Sequence, residues 1–452
     1  MNYTPHLAYI CMEFGVQPEV KTYSGGLGIL AGDTMKGYAD MGIAAVGIGI
    51  LYKNGYLSQE LDDTQGQINH PQEWDHTQYM EKVGHTSLPL AEETVEIDIW
   101  EYQYTSPVSG QSVSILYLDT DLPENSELFR KVSYELYAAD KEVFNRQLVV
   151  LGLGSWFALE ALGLTEHVST FHLNESHSGL LAMVLDQDST QVVFTTHTPL
   201  KGGHTRLPVE FLHSMCTHNQ CLQIPEASLE EDGNIVNLTA LALELADYSN
   251  AVSEKHKEVS EHMFPGHEID YVTNGIHIPT WVSEPMRTVF DDYIPSWEQT
   301  PQILRYAETI PLEKIRAAHA QSRAALHAKI QESCGQDLLP DAFTIGFARR
   351  ATEYKRATLV LSNPDQLLAM AHDHGGLNIV FAGKAYHEDP VGREIIQRIM
   401  ELDKQYSDPY LRIAYLPDYD MDLAKYLISG VDVWLNTPQL SYEASGTSGM
   451  KA

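Results

Sequence analysis

The sequence predicts an α/β protein of two domains facing each other across a cleft, and three observations carry that expectation. Short apolar runs bounded by turn residues alternate with helical patterns along the chain, the rhythm of parallel sheets covered by helices. At 452 residues the chain exceeds what one hydrophobic core usually supports. Pro279, Pro285, Pro295 and Pro301 punctuate the stretch 280–310, which marks a seam between a domain over 1–285 and one over 286–452.

In the first domain, strands are expected at Leu7–Phe14, Ile43–Leu51, Val95–Tyr104, Val113–Leu118, Val168–Asn174, Gln191–Thr196 and Ile269–Thr273, each built around β-branched or aromatic residues. Past the seam, Leu312, Ile315, Leu326 and Ile330 share a 3.6-residue period and predict a helix over Leu312–Gln331. Four buried strands follow, Phe343–Ala348, Asn378–Ala382, Leu411–Leu416 and Val431–Asn436. Helices near Thr358–Ala371, Gly392–Tyr406 and Leu423–Ser429 separate them, the βαβα order of a Rossmann-like sheet.

Composition narrows the partners. The balance of 62 acidic against 29 basic residues gives a formal charge of −33, which argues against nucleic acid and anionic membrane surfaces, since both demand a positive footprint. No apolar run is long enough to span a bilayer and the N-terminus lacks a secretory pattern, so a cytoplasmic protein is expected. Cys11, Cys216, Cys221 and Cys334 form no C-x-x-C pair and read as buried thiols. No metal-ligand spacing such as H-E-x-x-H is present, so no metal site is expected.

Three segments carry chemistry. Tyr23-Ser24-Gly25-Gly26-Leu27-Gly28 lies between a strand and a helix pattern, where adjacent glycines let backbone amides approach a phosphate; a tight turn without ligand is equally compatible. Arg349-Arg350-Ala351-Thr352-Glu353-Tyr354-Lys355-Arg356 places four cations in eight residues at the C-terminal end of a strand, where open α/β sheets hold ligands. In so acidic a chain this cluster calls for an anion rather than a merely solvated turn. Glu443-Ala444-Ser445-Gly446-Thr447-Ser448-Gly449-Met450-Lys451 offers small residues, hydroxyls and a lysine able to condense with an aldehyde cofactor. His172–His177 and Thr195–Pro199, at the ends of two further strands, read either as satisfied core histidines or as hydrogen-bonding partners of a polyhydroxylated substrate, a role that also suits Asn274-Gly275.

Glu443–Lys451 resembles the pyridoxal-phosphate segment of the glycogen phosphorylase family, and Met12–Phe14, Ser24–Leu30, His172–His177, Thr196–Pro199, Thr273–Ile276 and Glu353–Arg356 fall in that family's order. The resemblance implies the GT-B fold, two Rossmann-like domains facing across a cleft, and the short bacterial form. It implies release of glucose 1-phosphate from α-1,4-glucan by inorganic phosphate, with retention of configuration. It also implies pyridoxal 5′-phosphate, whose own phosphate is the proton partner of the substrate phosphate.

Position by position, Lys451 would hold the cofactor as a Schiff base, with Arg349, Thr447 and Ser448 on its phosphate and Tyr419 and Trp281 beside it. Arg350 and Lys355 would hold the substrate phosphate with amides at Gly25 and Gly26. Glu443, Ser445, Gly446, Asn274 and His197 would bind the sugar, the His197 carbonyl facing the developing oxocarbenium charge. A homodimer is the family expectation. Where the family often has Thr-Gly-Asn-Met-Lys, this chain has Thr447-Ser448-Gly449-Met450-Lys451, and relatives continue past the lysine, so a second domain incomplete at its C-terminus is expected. The alternatives are a nucleotide-sugar glucosyltransferase of starch synthase type, which has no need of Lys451, and an inactive glucan-binding remnant.

Overall fold

The computed structural model describes residues 1, 3–62, 66–216, 224–387, 389–406 and 408–452. The chain forms two compact units: Met1–Tyr56 with Pro71–Gly275 and Ser441–Ser445, and Leu57–His70 with Ile276–Leu440 and Gly446–Ala452. The division at Gly275/Ile276 falls ahead of the seam read from the prolines, and it places Trp281 in the same unit as Lys451.

The first unit is built on nine strands: β1 (Leu7–Ile10), β2 (Ala45–Ile50), β3 (Glu81–Pro89), β4 (Thr94–Thr105), β5 (Ser112–Asp119), β6 (Thr170–Asn174), β7 (Gln191–Thr195), β8 (Tyr248–Ala251) and β9 (Asp270–Tyr271). Their order in the sheet is β9-β8-β7-β6-β1-β2-β5-β4-β3. Pairing is parallel from β9 through β5 and antiparallel at the β5-β4-β3 edge. Apolar β1 and β2 are buried almost throughout, as expected of strands covered on both faces. Helix α1 (Gly26–Met41) opens directly after the glycine loop and stops at Gly42, whose φ of 68° supplies the left-handed turn that ends it. Met35 and Ala39 of α1 pack with Tyr9, Phe14, Ile115 and Tyr117 on one face of the sheet. The strand expected over Leu7–Phe14 stops at Ile10, because the chain leaves the sheet there and turns Glu13 toward the glycine loop.

In the second unit, helix α2 (Leu312–Cys334), closed by Gly335 in the left-handed region, leads into the sheet. Its strands β10 (Phe343–Ala348), β11 (Leu377–Ala382), β12 (Leu411–Leu416) and β13 (Val433–Trp434) are all parallel, in the order β12-β11-β10-β13. The first strand thus has later strands on both sides, the 3-2-1-4 arrangement of a Rossmann-type half. Between strands run α3 (Pro364–Asp373), α4 (Pro390–Gln405) and α5 (Met421–Gly430).

Each start is encoded locally: Asn363, Asp389 and Asp420 accept the Gln366, Gly392 and Leu423 amides, and Pro364 and Pro390 sit in the first turn. That chemistry corrects the helix expected over Thr358–Ala371. Pro364 cannot lie inside it, so Ala357–Leu361 forms a separate short turn and α3 begins afresh. Ile379, Phe381, Ile396 and Ile413 fill one side of the sheet, and Leu326, Val380, Leu416 and Leu427 the other.

Two features escaped the sequence pattern. A hairpin of Ser58–Leu61 and Gln67–His70, early in the chain, belongs to the second unit. Cys216 is disulfide-bonded, against the expectation of four thiols, while Cys11 and Cys334 are free; Cys221 lies outside the described residues. Among the described residues no helix is long and apolar enough to cross a membrane, and no cluster of ligating side chains could hold a metal ion.

Candidate active site

In an open parallel sheet, strands leaving in opposite directions from a common start leave a crevice at their carboxyl ends. Each unit has one such point, and the candidate residues lie at both.

In the first unit the crevice lies beyond β1 and β6. Glu13 follows β1, and its Oε2 accepts the Ser24 amide at 2.6 Å, the Ser24 hydroxyl at 3.2 Å and the Gly25 amide at 3.1 Å. Its Oε1 accepts the Tyr137 hydroxyl at 2.8 Å. The glycine loop is therefore built around a carboxylate of the chain itself, and the Gly25 N–H is used by it. Gly28 is required by the same contact, since a Cβ there would lie 2.6 Å from Glu13 Oε2.

Glu175 follows β6 with a φ of 73°, a left-handed conformation that a glutamate adopts only when its surroundings enforce it. Its Oε1 accepts the Ser176 amide at 2.7 Å, and its Oε2 accepts the His197 amide at 2.8 Å and the Thr198 hydroxyl at 2.9 Å. Burial raises the Glu175 pKa, but the neighbouring His197 and His177 and the two amides outweigh it and hold the acid at about 2.

The His197 ring is fixed separately. Asn174 points its Nδ2 at Cys11 Sγ and its Oδ1 at His197 Nε2, 2.8 Å away. The proton therefore sits on Nε2 and Nδ1 remains an acceptor. Burial pushes the His197 pKa down to about 4, so the ring is neutral at pH 7. His172, by contrast, is a packed core histidine, bonded to Thr195 Oγ1 at 2.8 Å with its ring edge-on to Tyr9. Asn274 is half-buried after β9, its amide on the Val252 carbonyl. The segment carrying Glu443 and Ser445 joins this unit through the Ser253 hydroxyl, which donates to the Ala444 carbonyl at 2.6 Å.

In the second unit the crevice lies beyond β10 and β13. Arg349 is the first residue after β10; it is buried, and that burial lowers its pKa while Tyr354 and Tyr419 act the other way. Tyr419 is itself partly buried beside it, and desolvation raises its phenol pKa. Lys355 stacks 4.8 Å from the Tyr354 ring centroid. Burial, together with the charges of Arg349 and Arg350, drives its pKa down to about 6. Arg356, the fourth cation of the run, serves the architecture instead. Its Nε and Nη2 donate to the Thr437 and Pro438 carbonyls and tie the loop after β10 to the loop after β13.

The last helix, α6 (Thr447–Lys451), lies in the same unit. Trp434 Nε1 donates to Ser448 Oγ at 3.1 Å, and the Asn436 side chain packs against Gly449, its Nδ2 at 2.7 Å from where a Cβ would lie. Lys451 Nζ lies 4.0 Å from the centroid of the Trp281 ring, bringing together two residues that the sequence separates widely.

The sequence profile of the carbohydrate phosphorylase family matches residues 201–452, more than half of the chain. The chain is 31% identical, over its full length, to the glycogen phosphorylase of Aquifex aeolicus, and covers 72% of it. The chain belongs to the carbohydrate phosphorylase family. It is also 34% identical over 98% of its length to the maltodextrin phosphorylase of Thermococcus litoralis and 31% identical over 99% to the glycogen phosphorylase of Mycobacterium tuberculosis. It spans 58% and 59% of those two phosphorylases. A second profile, the starch synthase catalytic domain, matches residues 16–274, which fall largely in the first unit. Within this phosphorylase-family chain, Arg349, Arg350, Lys355 and Tyr419 gather at one point, Lys451 and Trp281 at another of the same unit, and His197 and the glycine loop in the first unit. Glu13, Tyr137, Asn174 and Glu175 were not singled out from the sequence, although Glu13, Asn174 and Glu175 lie in motifs that were; for Glu175 the usable signal was an acid directly after a buried strand.

Proposed function

We propose that this chain is an α-1,4-glucan phosphorylase, with pyridoxal 5′-phosphate on Lys451 and glycogen or maltodextrin and inorganic phosphate as substrates. The observation that carries the reading is the cluster of Arg349, Arg350 and Lys355 at a sheet crevice, in which burial and like charges depress the lysine to about 6. Such a cluster is costly unless an anion offsets it. A phosphorylase brings two phosphates together and so accounts for the cost. The named relatives, glycogen and maltodextrin phosphorylases, support the same reading.

The residues fit the cofactor: a primary amine lies against an aromatic plane in Lys451 and Trp281, and the buried Arg349 guanidinium suits a phosphate. When bound, the cofactor supplies a phosphate that exchanges a proton with the substrate phosphate. Lys451 would hold it, Thr447, Ser448 and Arg349 would bind its phosphate, and Trp281 and Tyr419 would lie beside it. Arg350 and Lys355 hold the substrate phosphate, helped by the loop amides from Gly26 onward, since Gly25 already serves Glu13. Glu443, Ser445, Gly446, Asn274 and the His197 ring take sugar hydroxyls. The His197 carbonyl faces the charge that develops as the glycosidic bond breaks, in a cytoplasmic homodimer of a GT-B type chain. Glucose 1-phosphate leaves with retained configuration.

The test is to purify the chain with pyridoxal phosphate, fix the cofactor with borohydride and map the labelled lysine, then assay glucose 1-phosphate release from maltodextrin. Label on Lys451 with phosphate-dependent release supports the reading. A folded protein that takes up no cofactor removes it and favours an inactive glucan-binding remnant of the family.

A further inference from the structure

Resting on that reading, we propose that Glu175 is a positioning residue that sets the direction of the His197 carbonyl. One carboxylate oxygen, Oε2, receives a hydrogen bond on each side of that carbonyl: the His197 amide at 2.8 Å and the Thr198 hydroxyl at 2.9 Å. The backbone between those donors holds one carbonyl, the His197 C=O, and clamping both flanks leaves it little freedom to rotate. The carboxylate is itself held rigidly. Its Oε1 takes the Ser176 amide, and the Glu175 amide donates to the Thr195 carbonyl at 2.9 Å. The residue is 3% exposed, and its φ of 73° aims the side chain across to the end of β7. Left-handed backbone at a non-glycine residue is strain that persists only where the surroundings over-determine it.

The anchor acts on the backbone, because the imidazole is fixed independently by Asn174. Losing Glu175 should therefore leave ring contacts to a sugar intact and disturb only the carbonyl. A carbonyl that matters most as positive charge develops contributes to the transition state rather than to ground-state binding. Glutamate is needed because all three donors require acceptor oxygens, and glutamine would turn its NH2 toward one of them.

The decisive comparison is Glu175→Gln and Thr198→Val against the wild type, read three ways. In E175Q, kcat for phosphorolysis falls about 100-fold with KM for maltodextrin and phosphate within about threefold, the pattern of a misplaced group rather than a lost binding contact. A cationic cyclic sugar analogue loses affinity in parallel while neutral glucose does not. T198V removes one donor without touching the carboxylate, and gives a smaller loss of the same kind, about tenfold, even where E175Q folds poorly. The 15N-labelled His197 amide, low-field and slow to exchange in the wild type, moves upfield in E175Q. An unchanged kcat in T198V, an unchanged kcat in E175Q while its His197 amide signal moves, or a rise in KM alone overturns the proposal. If the wild type releases no glucose 1-phosphate while the amide signal moves in E175Q, the phosphorylase reading fails and the clamp on His197 stands.

Discussion

Lys355 lies among like charges, and its chemistry follows from that. Burial first, then Arg349 and Arg350, bring its pKa to about 6, so without an anion it is mostly neutral at pH 8. A bound phosphate restores the charge. Relative to Lys355→Gln, which cancels the titration of phosphate itself, binding of inorganic phosphate should therefore take up close to one extra proton at pH 8, and only about a quarter of one at pH 5.5. Calorimetry in buffers of different ionisation enthalpy, run on both proteins, measures this.

The histidines act on stability instead. His172 and His197, buried and each brought to about 4, stay neutral in the fold while the unfolded chain takes up protons below pH 6.5. The unfolded state then binds more protons, so stability is full above pH 6.5 and falls as the pH drops toward 4. Glu175, at about 2, extends the loss from pH 4.5 downward, because its folded pKa lies below its unfolded one. The denaturant midpoint should thus fall between pH 7 and 4.5 with a slope of at least about two protons, because burial also lowers His76, His177, His204, His256 and His327, and His172→Asn should remove about one of them.

At this scale the sequence was informative where the signal was charge. Four cations in a run stand out against a net charge of −33, although nothing in the run distinguishes Arg356, which ties two loops, from Lys355. Glu13 and Glu175 do not stand out among 62 acids, since what sets them apart is the amides they meet after folding.

Among elements, those with an apolar signature were legible and those made by polar contacts were not. β10, β11 and β12 lie where their Val, Ile, Leu and Phe runs predict, but β13 shrinks to Val433–Trp434, pairing with Ile345 and Gly346 alone. The hairpin Ser58–Leu61/Gln67–His70 sends only Leu61 against the apolar core. It is held by buried Gln59, whose Nε2 donates to Gln67 Oε1 and to the Tyr415 hydroxyl and whose Oε1 accepts the Asp418 amide. Gln67 in turn bonds both the carbonyl and the amide of Ala385.

A buried polar network costs most when one member is removed and the others keep their unmet needs. Gln59→Leu should therefore destabilise the protein by roughly 2–3 kcal/mol despite being more apolar, measured by denaturant unfolding. Gly383, directly after β11, has a φ of 123°, and a Cβ there would overlap the Arg349 carbonyl oxygen. Gly383→Ala should push the loop after β10 out of place and weaken phosphate binding at least about tenfold, a larger effect than its distance from the cations suggests.

For the whole molecule, the division of labour follows the division of the chain. Every residue proposed to hold the cofactor, Lys451, Thr447, Ser448, Arg349, Tyr419 and Trp281, belongs to the second unit. Of those proposed to meet the sugar, Asn274, His197, Glu443 and Ser445 belong to the first, and Gly446 alone lies across the boundary. Each unit has its own sheet and its own buried core, so each should melt as a separate cooperative transition. A ligand stabilises only the folded state that binds it, by about 2.7 kcal/mol at a concentration 100 times its Kd. In differential scanning calorimetry, pyridoxal phosphate should raise one of two transitions by several degrees, and maltodextrin should raise the other. Trp281, Trp297 and Trp434 report on the second unit and Trp74, Trp100 and Trp156 on the first, so their fluorescence assigns each transition. The transition that moves with pyridoxal phosphate should be the one in which Trp281→Leu abolishes the shift. If both ligands raise a single transition together, the chain unfolds as one body, and the assignment of cofactor and sugar to separate units has no thermodynamic counterpart.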